Sequence, residues 1–435
     1  MQSYIFPDRA AWPSILERPA LDNSQLEATV SQVLNDIREN GDQSLKAYTR
    51  KFDGVDLDQL QVTPEEIAAA EASLSPELKE AIQIAQQNIE RFHAQQQLKM
   101  EVVETMPGVQ CWRKSVGIEK VGLYIPGGTA PLFSTVLMLG IPAKLAGCKE
   151  IVLCSPPRTE NTVHPAVIYA ANLVGVTKIF KVGGVQAIGA MAYGTESVPQ
   201  VYKIFGPGNQ YVTAAKQLVN KEGLPIDMPA GPSEVLVCAD QSANPAFVAA
   251  DLLSQAEHGT DSQVVMVTFS EETLSKVQAA VAEQLAQLPR KEIAEGALEN
   301  SAGVVLKDPS EAIDFINAYA PEHLILAMEQ AEEVGEAIIN AGSVFLGNYT
   351  PESVGDYASG TNHTLPTNGF ARSYSGVSLD SFVKKITFQK LSKEGLQRLG
   401  PAVEKMAEAE ELIAHKNAVT IRLQSLEGSS KGGSL

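Results

Sequence analysis

The feature that most constrains the fold is an alternation between two hydrophobic periods, which begins near residue 120. Short β-branched runs such as KVGLYIPGG and KEIVLCSPP alternate with apolar windows such as STVLMLGIPAKLAG and HPAVIYAANLVGV. A period of 2 predicts strands and a period of 3.6 predicts helices. Because strands separated by helices usually pair in parallel, the pattern predicts an α/β protein built from parallel sheets.

The alternation has two parts, which meet at DMPAGP near residues 227–232. It resumes with SEVLVCAD and continues through SQVVMVTFS, AGVVLKD, HLILAME and GSVFLGN. A chain of 435 residues exceeds the typical domain of about 150 residues, so two or three domains are expected. We therefore predict two parallel sheets, although no residue-level repeat relates the two parts.

The two ends of the chain depart from this pattern. The first ~120 residues are predicted to be mainly helical, with Thr63 and Glu66 in capping-box positions and Ser75 as a second N-cap. His93 lies among Gln and Arg residues of the second helix and is predicted to be solvated. Beyond residue 380, KEGLQRLGPAVEKMAEAEELIAHKNAVTIRLQSLE is an amphipathic helical stretch, which must pack on its own chain or on a second subunit. The final GSSKGGSL is expected to be a flexible or added tail.

Charge and hydropathy narrow the choice of ligands. The sequence contains 34 basic and 52 acidic residues, a net charge of −18. Such a field repels nucleic-acid phosphates and anionic membranes, so small molecules are the expected ligands. The start, MQSYIFPDRAAWP, lacks the features of a signal peptide, and no apolar run approaches the ~18 residues of a membrane span. We expect a cytoplasmic protein that binds neither nucleic acid nor membrane.

Four cysteines, Cys111, Cys148, Cys154 and Cys238, are scattered without a C-x-x-C pair. This spacing favours reduced thiols over zinc binding, redox chemistry or a disulfide framework. Only six histidines occur, so any site that needs several imidazoles draws on few positions.

Glycine-rich turns follow three of the predicted strands: Pro126-Gly127-Gly128, Gly183-Gly184 and Gly206-Pro207-Gly208-Asn209. Ligands of open α/β sheets bind at the carboxyl ends of the strands. The last turn leads into the helix QYVTAAKQLV, whose free N–H groups could hold a phosphate. The alternative is that these glycines serve tight turns only, since no G-x-G-x-x-G is present to indicate a dinucleotide.

Two pairs of polar residues stand at the ends of apolar segments. Gln255 and His258 lie three residues apart, on one face, where DLLSQAEHG leaves its predicted helix. Glu322 and His323 begin the strand PEHLILAM and would point to opposite faces within it, so a shared site requires them to lie in the turn ahead of it. A neighbouring Glu and His can act as a general-base pair, but an E-H dipeptide also occurs by chance.

Two further segments carry polar residues. ESVGDYASGTNHTLPT, with Asp356 and His363, forms either an active-site wall or plain surface. On the tail, Glu411 and His415 have the i, i+4 spacing of a helix-stabilising pair. Four scattered residues together offer nitrogen and oxygen ligands that suit a divalent ion such as zinc: Gln255, His258, Asp356 and His415. Their separation in sequence and the rarity of glutamine as a ligand leave the metal site a hypothesis.

Long segments, in order, match one known family: VGLYIPGGTAPLFSTVLML, GPGN, DMPAGPSEVLV, DLLSQAEHG, PEHL, GSVFLG, PESVGDYASGTNHTLPT and AEAEELIAHKNAV. Through them the chain resembles the histidinol dehydrogenases, from about residue 20 to about residue 425. The resemblance implies two Rossmann-like parallel-sheet domains, one inserted in the other, with helical N- and C-terminal extensions. The implied bounds are 1–21 for the N-terminal extension, 22–123 with 234–377 for the metal- and substrate-binding domain, 124–233 for the inserted NAD-binding domain, and 378–435 for a C-terminal dimerisation arm.

The resemblance also implies roles for individual residues. Glu322 would activate a water molecule, and His323 would move protons to and from the substrate. The implied zinc ligands are Gln255, His258, Asp356 and His415. The implied substrate contacts are these four ligands together with Ser233, His323, His363 and Glu410. The residues implied near NAD are Tyr124, Gln186 and Asn209.

The implied reaction is the oxidation of L-histidinol to L-histidine through L-histidinal, the final step of histidine biosynthesis, with two NAD molecules reduced in sequence. Zinc would bind the imidazole and the amine of the substrate, and so would orient the substrate more than ionise water. The enzyme would be a homodimer whose C-terminal arm completes the partner's site. The missing G-x-G-x-x-G is consistent with a family that binds NAD without that fingerprint.

The residues alone leave three rival interpretations open. Cys154, after the strand KEIVL, could form a thiohemiacetal with an aldehyde, although a buried, inert thiol is favoured. A zinc hydrolase could use Glu322 as its base, but this would leave the two sheets and the GPGN turn unexplained. A metal-dependent assembly protein would need no Glu322–His323 pair. Formation of NADH from L-histidinol and NAD, abolished by a chelator, would separate the three.

Overall fold

The computed structural model describes residues 1–19, 24–127, 131–229 and 231–430. Gly128 of the first glycine turn, Ala230 of DMPAGP and residues 431–435 of the tail lie outside the described residues. The chain divides into two compact units. The first comprises Met1–Gln96 with Ile118–Phe382, and the second comprises Gln97–Gly117 with Val383–Leu435.

The elements follow the predicted alternation along most of the chain. The strands are β1 (Gln2–Ile5), β2 (Val102–Met106), β3 (Val109–Gly117), β4 (Lys120–Tyr124), β5 (Glu150–Ser155), β6 (Lys178–Lys181), β7 (Lys203–Phe205), β8 (Glu234–Ala239), β9 (Gln263–Thr268), β10 (Ala302–Val305), β11 (His323–Ala327), β12 (Ser343–Leu346) and β13 (Val383–Leu391). The helices are α1 (Trp12–Ile15), α2 (Ser24–Asp53), α3 (Pro64–Ser73), α4 (Pro76–Ala94), α5 (Phe133–Leu145), α6 (Pro165–Val174), α7 (Gly184–Tyr193), α8 (Gln210–Lys221), α9 (Pro245–Ala256), α10 (Glu271–Leu285), α11 (Lys291–Glu299), α12 (Pro309–Tyr319), α13 (Ala331–Glu336), α14 (Glu352–Tyr357), α15 (Lys393–Ala409) and α16 (Ile413–Ser430).

Six strands of the first unit form one parallel sheet in the order β1-β10-β9-β8-β11-β12. Every residue of β8, β9 and β11 is buried, as in a sheet that helices cover on both faces. Val248 of α9 and Val277 of α10 pack on one face, whereas Phe315 and Ile316 of α12 pack on the other. The predicted parallel α/β sheet in this part of the chain is confirmed.

Four strands of the first unit form a second parallel sheet in the order β6-β5-β4-β7. Ile37 of α2 and Ile188 of α7 belong to the core on one face, and Leu137 of α5 and Ile168 of α6 belong to the core on the other. The two parallel sheets confirm the α/β class. The domain bounds implied by the resemblance remain predictions.

Helix capping follows the sequence signals. Thr63 accepts a hydrogen bond from the backbone N–H of Glu66, and the Glu66 carboxylate accepts one from the N–H of Thr63, which completes the predicted capping box of α3. Ser75 caps α4 through its hydroxyl, which accepts from the N–H of Leu78. The predicted starts of both helices are confirmed.

An antiparallel sheet in the order β13-β3-β2 was not predicted. It belongs to the second unit, in which α15 and α16 also pack on each other. The segment 378–435, expected to be helical, therefore includes a strand. Most of β13 is exposed and three of its nine residues are lysines, so it lacks the apolar alternation that identifies a strand.

The N-terminal extension also differs from the expectation of a helical segment. β1 pairs in parallel with β10 and so forms an edge of the six-stranded sheet. Only α1 and a 3₁₀ turn at Arg9–Ala11 are helical among the described residues of 1–19. A four-residue strand at a chain end carries too few positions for its period to be read.

His93 is buried, which corrects the prediction that it is solvated. Its side chain is 0% exposed, and Nδ1 donates to the carbonyl of Ile89 at 2.9 Å. Burial lowers the pKa of His93 below its ordinary value, so the neutral imidazole is favoured. Ile82 and Ile89 occupy the same face of α4, and the i+4 spacing from Ile89 places His93 on it too.

Within the residues that the structure describes, none of the helices has both the length and the apolar character needed to cross a membrane.

Candidate active site

A cavity of about 1060 Å³ opens at the carboxyl ends of the four-stranded sheet. Its lining includes Tyr124, Gln186 and Asn209, the three residues that the resemblance implied for NAD. Tyr124 ends β4, and its hydroxyl oxygen accepts a hydrogen bond from the N–H of Gly184 at 3.1 Å. Burial raises the pKa of Tyr124 to about 12, so the hydroxyl is neutral at physiological pH. The cavity has the size and position expected of a dinucleotide site.

The GPGN turn beside this cavity is held by a buried ion pair. Gly206 has a φ of 126°, and a Cβ atom there would lie 2.0 Å from the carbonyl oxygen of Tyr124, so only glycine fits. Lys216 and Asp227 pair at 2.5 Å, Lys216 donates to the carbonyl of Gly206, and Asp227 accepts from its N–H. Asn209 caps α8 by accepting from two backbone N–H groups. Those two N–H groups are therefore committed to the cap and not to a phosphate.

A second group of polar residues lies at the amino ends of β8 and β11. Glu322 directly precedes β11, and His323 is its first residue. The Glu322 carboxylate accepts from the backbone N–H of Glu234 at 2.9 Å, and its Oε2 lies 3.6 Å from Nδ1 of His323. The condition for a shared site, that Glu322 occupies the turn ahead of the strand, is met. A search confined to the carboxyl ends of strands would miss this group.

The side chain of Glu234 forms a buried ion pair next to this turn. Arg18 donates two hydrogen bonds to its carboxylate, at 2.6 and 2.9 Å. Glu234 is only 2% exposed, so the guanidinium compensates a buried charge. Neither residue gives a signal in the sequence, because their contact spans more than two hundred positions along the chain.

His323 lies at the centre of the polar group. Its Nδ1 is 3.1 Å from Nε2 of Gln255, and its Nε2 is 3.4 Å from Oδ1 of Asp356. Burial favours the neutral imidazole, yet the carboxylates of Glu352 and Glu322 raise the pKa of His323 well above its ordinary value. The imidazole thus lies between the carboxylates of Glu322 and Asp356.

Glu352 belongs to this group and was missed in the sequence. It is 1% exposed, and its carboxylate accepts from the side-chain amide of Gln255. Burial raises its pKa well above the ordinary value of a glutamate. A lone Glu in a polar segment gives no signal, but its i, i+4 spacing from Asp356 places both carboxylates on one face of α14.

These side chains have the chemistry of a cation site. One ligand atom from each of His323, Glu352 and Asp356 lies within 4.8 Å of the others. Four buried polar atoms of the group have no hydrogen-bond partner in the described part of the chain: Gln255 Oε1, His323 Nε2, Glu352 Oε2 and Asp356 Oδ1. Buried acceptors without a donor are rare, and nitrogen and oxygen atoms of this kind suit a divalent ion such as zinc. The residues present therefore fit a zinc ion.

Three imidazoles act on the carboxylate of Asp356. Burial opposes ionisation of Asp356, but the imidazole of His323, 3.4 Å away, and the charges of His363 and His258 lower its pKa below the ordinary value. His258 is exposed and lies just beyond the end of α9. Nδ1 of His363 donates to the backbone carbonyl of Asp356 at 2.9 Å, and burial lowers the pKa of His363. The segment that carries Asp356, on α14, and His363 thus lines the site and is not plain surface.

The remaining predicted site residues lie elsewhere in the chain. Ser233 is half-buried immediately before β8, and its carbonyl accepts from the N–H of Gln263 at 3.1 Å. Glu410, the C-cap of α15, and His415 of α16 are exposed residues of the second unit. Their roles as substrate contact and zinc ligand stay predictions.

Cys154 is fully buried within β5. Burial raises the pKa of its thiol, so the reactive thiolate is disfavoured. This agrees with the interpretation of an inert cysteine and not with a thiohemiacetal.

Two parallel sheets, a dinucleotide-sized cavity at carboxyl strand ends and a buried group of carboxylates and imidazole define an α/β enzyme. The histidinol dehydrogenase family model matches residues 16–423. The chain belongs to the histidinol dehydrogenase family, whose members are oxidoreductases.

Individual relatives agree over nearly the whole chain. A histidinol dehydrogenase of Bacteroides thetaiotaomicron is 62% identical over 98% of this chain and 100% of its own length. One from Salmonella typhimurium is 53% identical over 95% of each chain. The crystal structure of histidinol dehydrogenase from Elizabethkingia anophelis matches with a TM-score of 0.96 at 58% identity, covering 98% of this chain and 99% of that chain.

Proposed function

We propose that the chain catalyses the zinc-dependent oxidation of L-histidinol to L-histidine through L-histidinal, with NAD as the electron acceptor. The observation that carries the proposal is the meeting of Gln255, Glu322, His323 and Asp356 in one buried group. These residues come from three separate segments of the sequence, and each stands at a position that the resemblance implied for the reaction. The reaction would complete histidine biosynthesis in the cytoplasm.

The cavity at the four-stranded sheet is the proposed NAD site. NAD, when bound, supplies the acceptor for the two electrons of each oxidation. Nε2 of His363 lies 3.1 Å from the hydroxyl of Thr135 on α5, and Pro131, just before α5, lines the cavity. Residues 131–135 therefore contact both the polar group and the cavity. A substrate that reacts with groups in both places would lie between them.

The proposed zinc ligands are Gln255, His258, Asp356 and His415. Zinc, when bound, supplies a Lewis acid that fixes the imidazole and the amine of the substrate. The unpartnered oxygens of Gln255 and Asp356 support this assignment. Ser233, His363 and Glu410 are proposed to contact the substrate.

Proton transfer is proposed to use the adjacent pair. In the first oxidation, His323 removes the hydroxyl proton while the carbon loses a hydride, that is a proton with two electrons, to NAD, which gives the aldehyde. In the second, Glu322 takes a proton from water, and the hydroxide adds to the aldehyde carbon, which gives the singly charged anion of the diol. This anion loses its C–H hydrogen as a hydride to a second NAD, and the resulting acid gives its hydroxyl proton to His323, which leaves the carboxylate. Glu322 is held for this role by the backbone N–H of Glu234.

The C-terminal segment is proposed to be the arm of a homodimer. Large apolar side chains of the second unit are exposed, among them Met406 at 65% and Ile421 at 66%. Exposed apolar side chains of this size favour a second subunit as the covering surface.

The test measures NADH formed from L-histidinol and NAD by its near-ultraviolet absorbance. The expected result is two NADH per L-histidinol consumed, with activity lost on chelation and restored by zinc. L-Alaninol, an amino alcohol without the imidazole, is the matched control and should be oxidised very poorly. Absence of NADH formation, or a stable yield of one NADH with aldehyde released, would contradict the proposal.

A further inference from the structure

Glu352 is a buried carboxylate that no proposed step uses. It is 1% exposed and begins α14, one turn before Asp356. Burial and the carboxylates of Asp356, Glu322 and Asp251 disfavour its charge, whereas the imidazole of His323 favours it. A carboxyl group retained in such a place needs a compensating partner.

The partner that it contacts is the side-chain amide of Gln255. Oε1 of Glu352 accepts from Nε2 of Gln255. The same nitrogen lies 3.1 Å from Nδ1 of His323. One of the two hydrogens of the –NH₂ group is therefore directed to the carboxylate of Glu352.

The oxygen of that amide has no hydrogen-bond partner. Oε1 of Gln255 is buried and makes no hydrogen bond within the described part of the chain. Because the amide is planar, holding Nε2 at Glu352 also sets the direction of this oxygen. Two further buried atoms without hydrogen-bond partners in the described chain, His323 Nε2 and Asp356 Oδ1, lie 3.4 Å from each other in the same polar group.

An amide that is not held can turn over and present its –NH₂ group instead. Such a turn would aim hydrogen-bond donors at a cation and would place Oε1 against the carboxylate oxygen of Glu352, acceptor against acceptor. The contact with Glu352 therefore selects one of two orientations of nearly equal shape.

We infer that Glu352 is a positioning residue for the cation site: it holds the amide of Gln255 so that Oε1, and not Nε2, faces the metal. The inference rests on the zinc site of the proposed function. It adds a residue outside the proposed ligand set. Partners of this kind that orient a ligand commonly alter metal affinity by about 10- to 100-fold.

The test uses metal-free protein and measures zinc affinity by competition with a chromophoric chelator. Glu352→Gln keeps the length and one acceptor oxygen, whereas Glu352→Asp keeps the charge but withdraws the carboxylate by one methylene. If the hydrogen bond to Gln255 is the cause, affinity decreases in the order wild type, Gln, then Asp and Ala, with Ala about 10- to 100-fold weaker. The reverse order, with Asp tighter than Gln, would show that charge alone matters and would overturn the inference.

A double-mutant cycle then separates action through Gln255 from direct ligation. Gln255→Ala and Glu352→Ala are compared singly and together, with Co²⁺ absorption spectra as a second readout of the ligand set. We expect Glu352→Ala to have no further effect on zinc affinity once Gln255 is Ala. Fully additive losses would mean that Glu352 binds the cation itself or acts through His323, and would overturn the inference.

Two controls keep the outcomes distinct. Circular dichroism of each metal-free variant checks folding, and the near-isosteric Glu352→Gln carries the test if the alanine variant does not fold. Wild-type protein that binds no zinc overturns both the inference and the proposed function. Wild-type zinc binding that is indifferent to Glu352→Gln and Glu352→Asp overturns the inference alone.

Discussion

Glu322 and His323 are consecutive residues, and Oε2 of Glu322 lies 3.6 Å from Nδ1 of His323. Consecutive residues inside a strand point to opposite faces, so this contact exists only because β11 begins at His323 and leaves Glu322 in the preceding turn. The carboxylate and the imidazole can therefore both reach one substrate, and each can carry out a different proton transfer.

Glu322→Gln is expected to impair the oxidation of L-histidinal more than that of L-histidinol, because only the second step consumes water. A general base contributes about 10²- to 10⁴-fold, so a loss of this order is expected when the reaction starts from the aldehyde. Single-turnover measurements from alcohol and from aldehyde test it. Glu336→Gln, at an exposed position of α13, is the control and should change neither step. Equal losses from both substrates would contradict the separate task of Glu322.

His258→Asn is expected to lower zinc content and activity together, since one of the four proposed ligands is lost. Folding should persist, because a protein with two buried sheet cores does not depend on one ion. Metal analysis after gel filtration, paired with activity and circular dichroism, is the measurement. Asp261→Asn, an exposed neighbour, is the control. A variant with full zinc and full rate would remove His258 from the ligand set.

His415 is expected to complete the zinc site of the partner subunit. Glu322→Gln chains and His415→Asn chains, each nearly inactive alone, are unfolded and refolded together. A mixed dimer then has one site with both defects and one site with neither, so activity returns. Mixing Glu322→Gln with His258→Asn is the matched control and restores nothing, because each defect stays in a different site. Heterodimers of the first mixture without recovered activity would place the His415 of each chain in its own site.

Asp53→Asn is expected to stabilise the protein above pH 6. Burial raises the folded-state pKa of Asp53 to about 6, and its Oδ2 has no partner in the described chain. The folded state therefore binds more protons than the unfolded state between about pH 4 and pH 6, and wild-type stability is lost as the pH rises through this range. Since Asp53 is partly exposed, the gain is discounted to about 1 to 2 kcal/mol.

Urea unfolding of wild type and Asp53→Asn at a series of pH values gives this difference. It should vanish towards pH 4 and be constant above about pH 7. A difference that does not change with pH would show that Asp53 is not the titrating group. Asp53 lines the proposed NAD cavity. The residue that lowers the stability of the folded state is therefore part of a proposed ligand-binding site.

The elements that the sequence predicted well are those with a local physical signal. The capping box of Thr63 and Glu66 operates over three residues, and the buried strands β8 and β9 consist of continuous apolar runs. The turn that precedes Asn209 is also a local signal, because the helix α8 begins directly after it. In each case the residues that decide the structure are neighbours in the sequence.

The failures involve partners that are far apart in the chain. The proposed role of Glu352 depends on its contact with Gln255, which lies 97 positions away in the sequence. The polar neighbours of His93 predict a solvated side chain, whereas its helical spacing from Ile89 correctly indicates burial. The strands β3 and β13 expose most of their residues, so their pairing leaves little trace in either segment alone.

The same antiparallel sheet has a consequence for biosynthesis. The ribosome releases β2 and β3 long before it has made β13, and at about 5–20 residues per second the wait lasts tens of seconds. During that time one edge of β3 is without its partner, and open strand edges pair readily with other nascent chains. A messenger that ends before the codon for Val383 would leave the edge open permanently, so we expect its product to aggregate and to be degraded rather than to accumulate as a shorter enzyme.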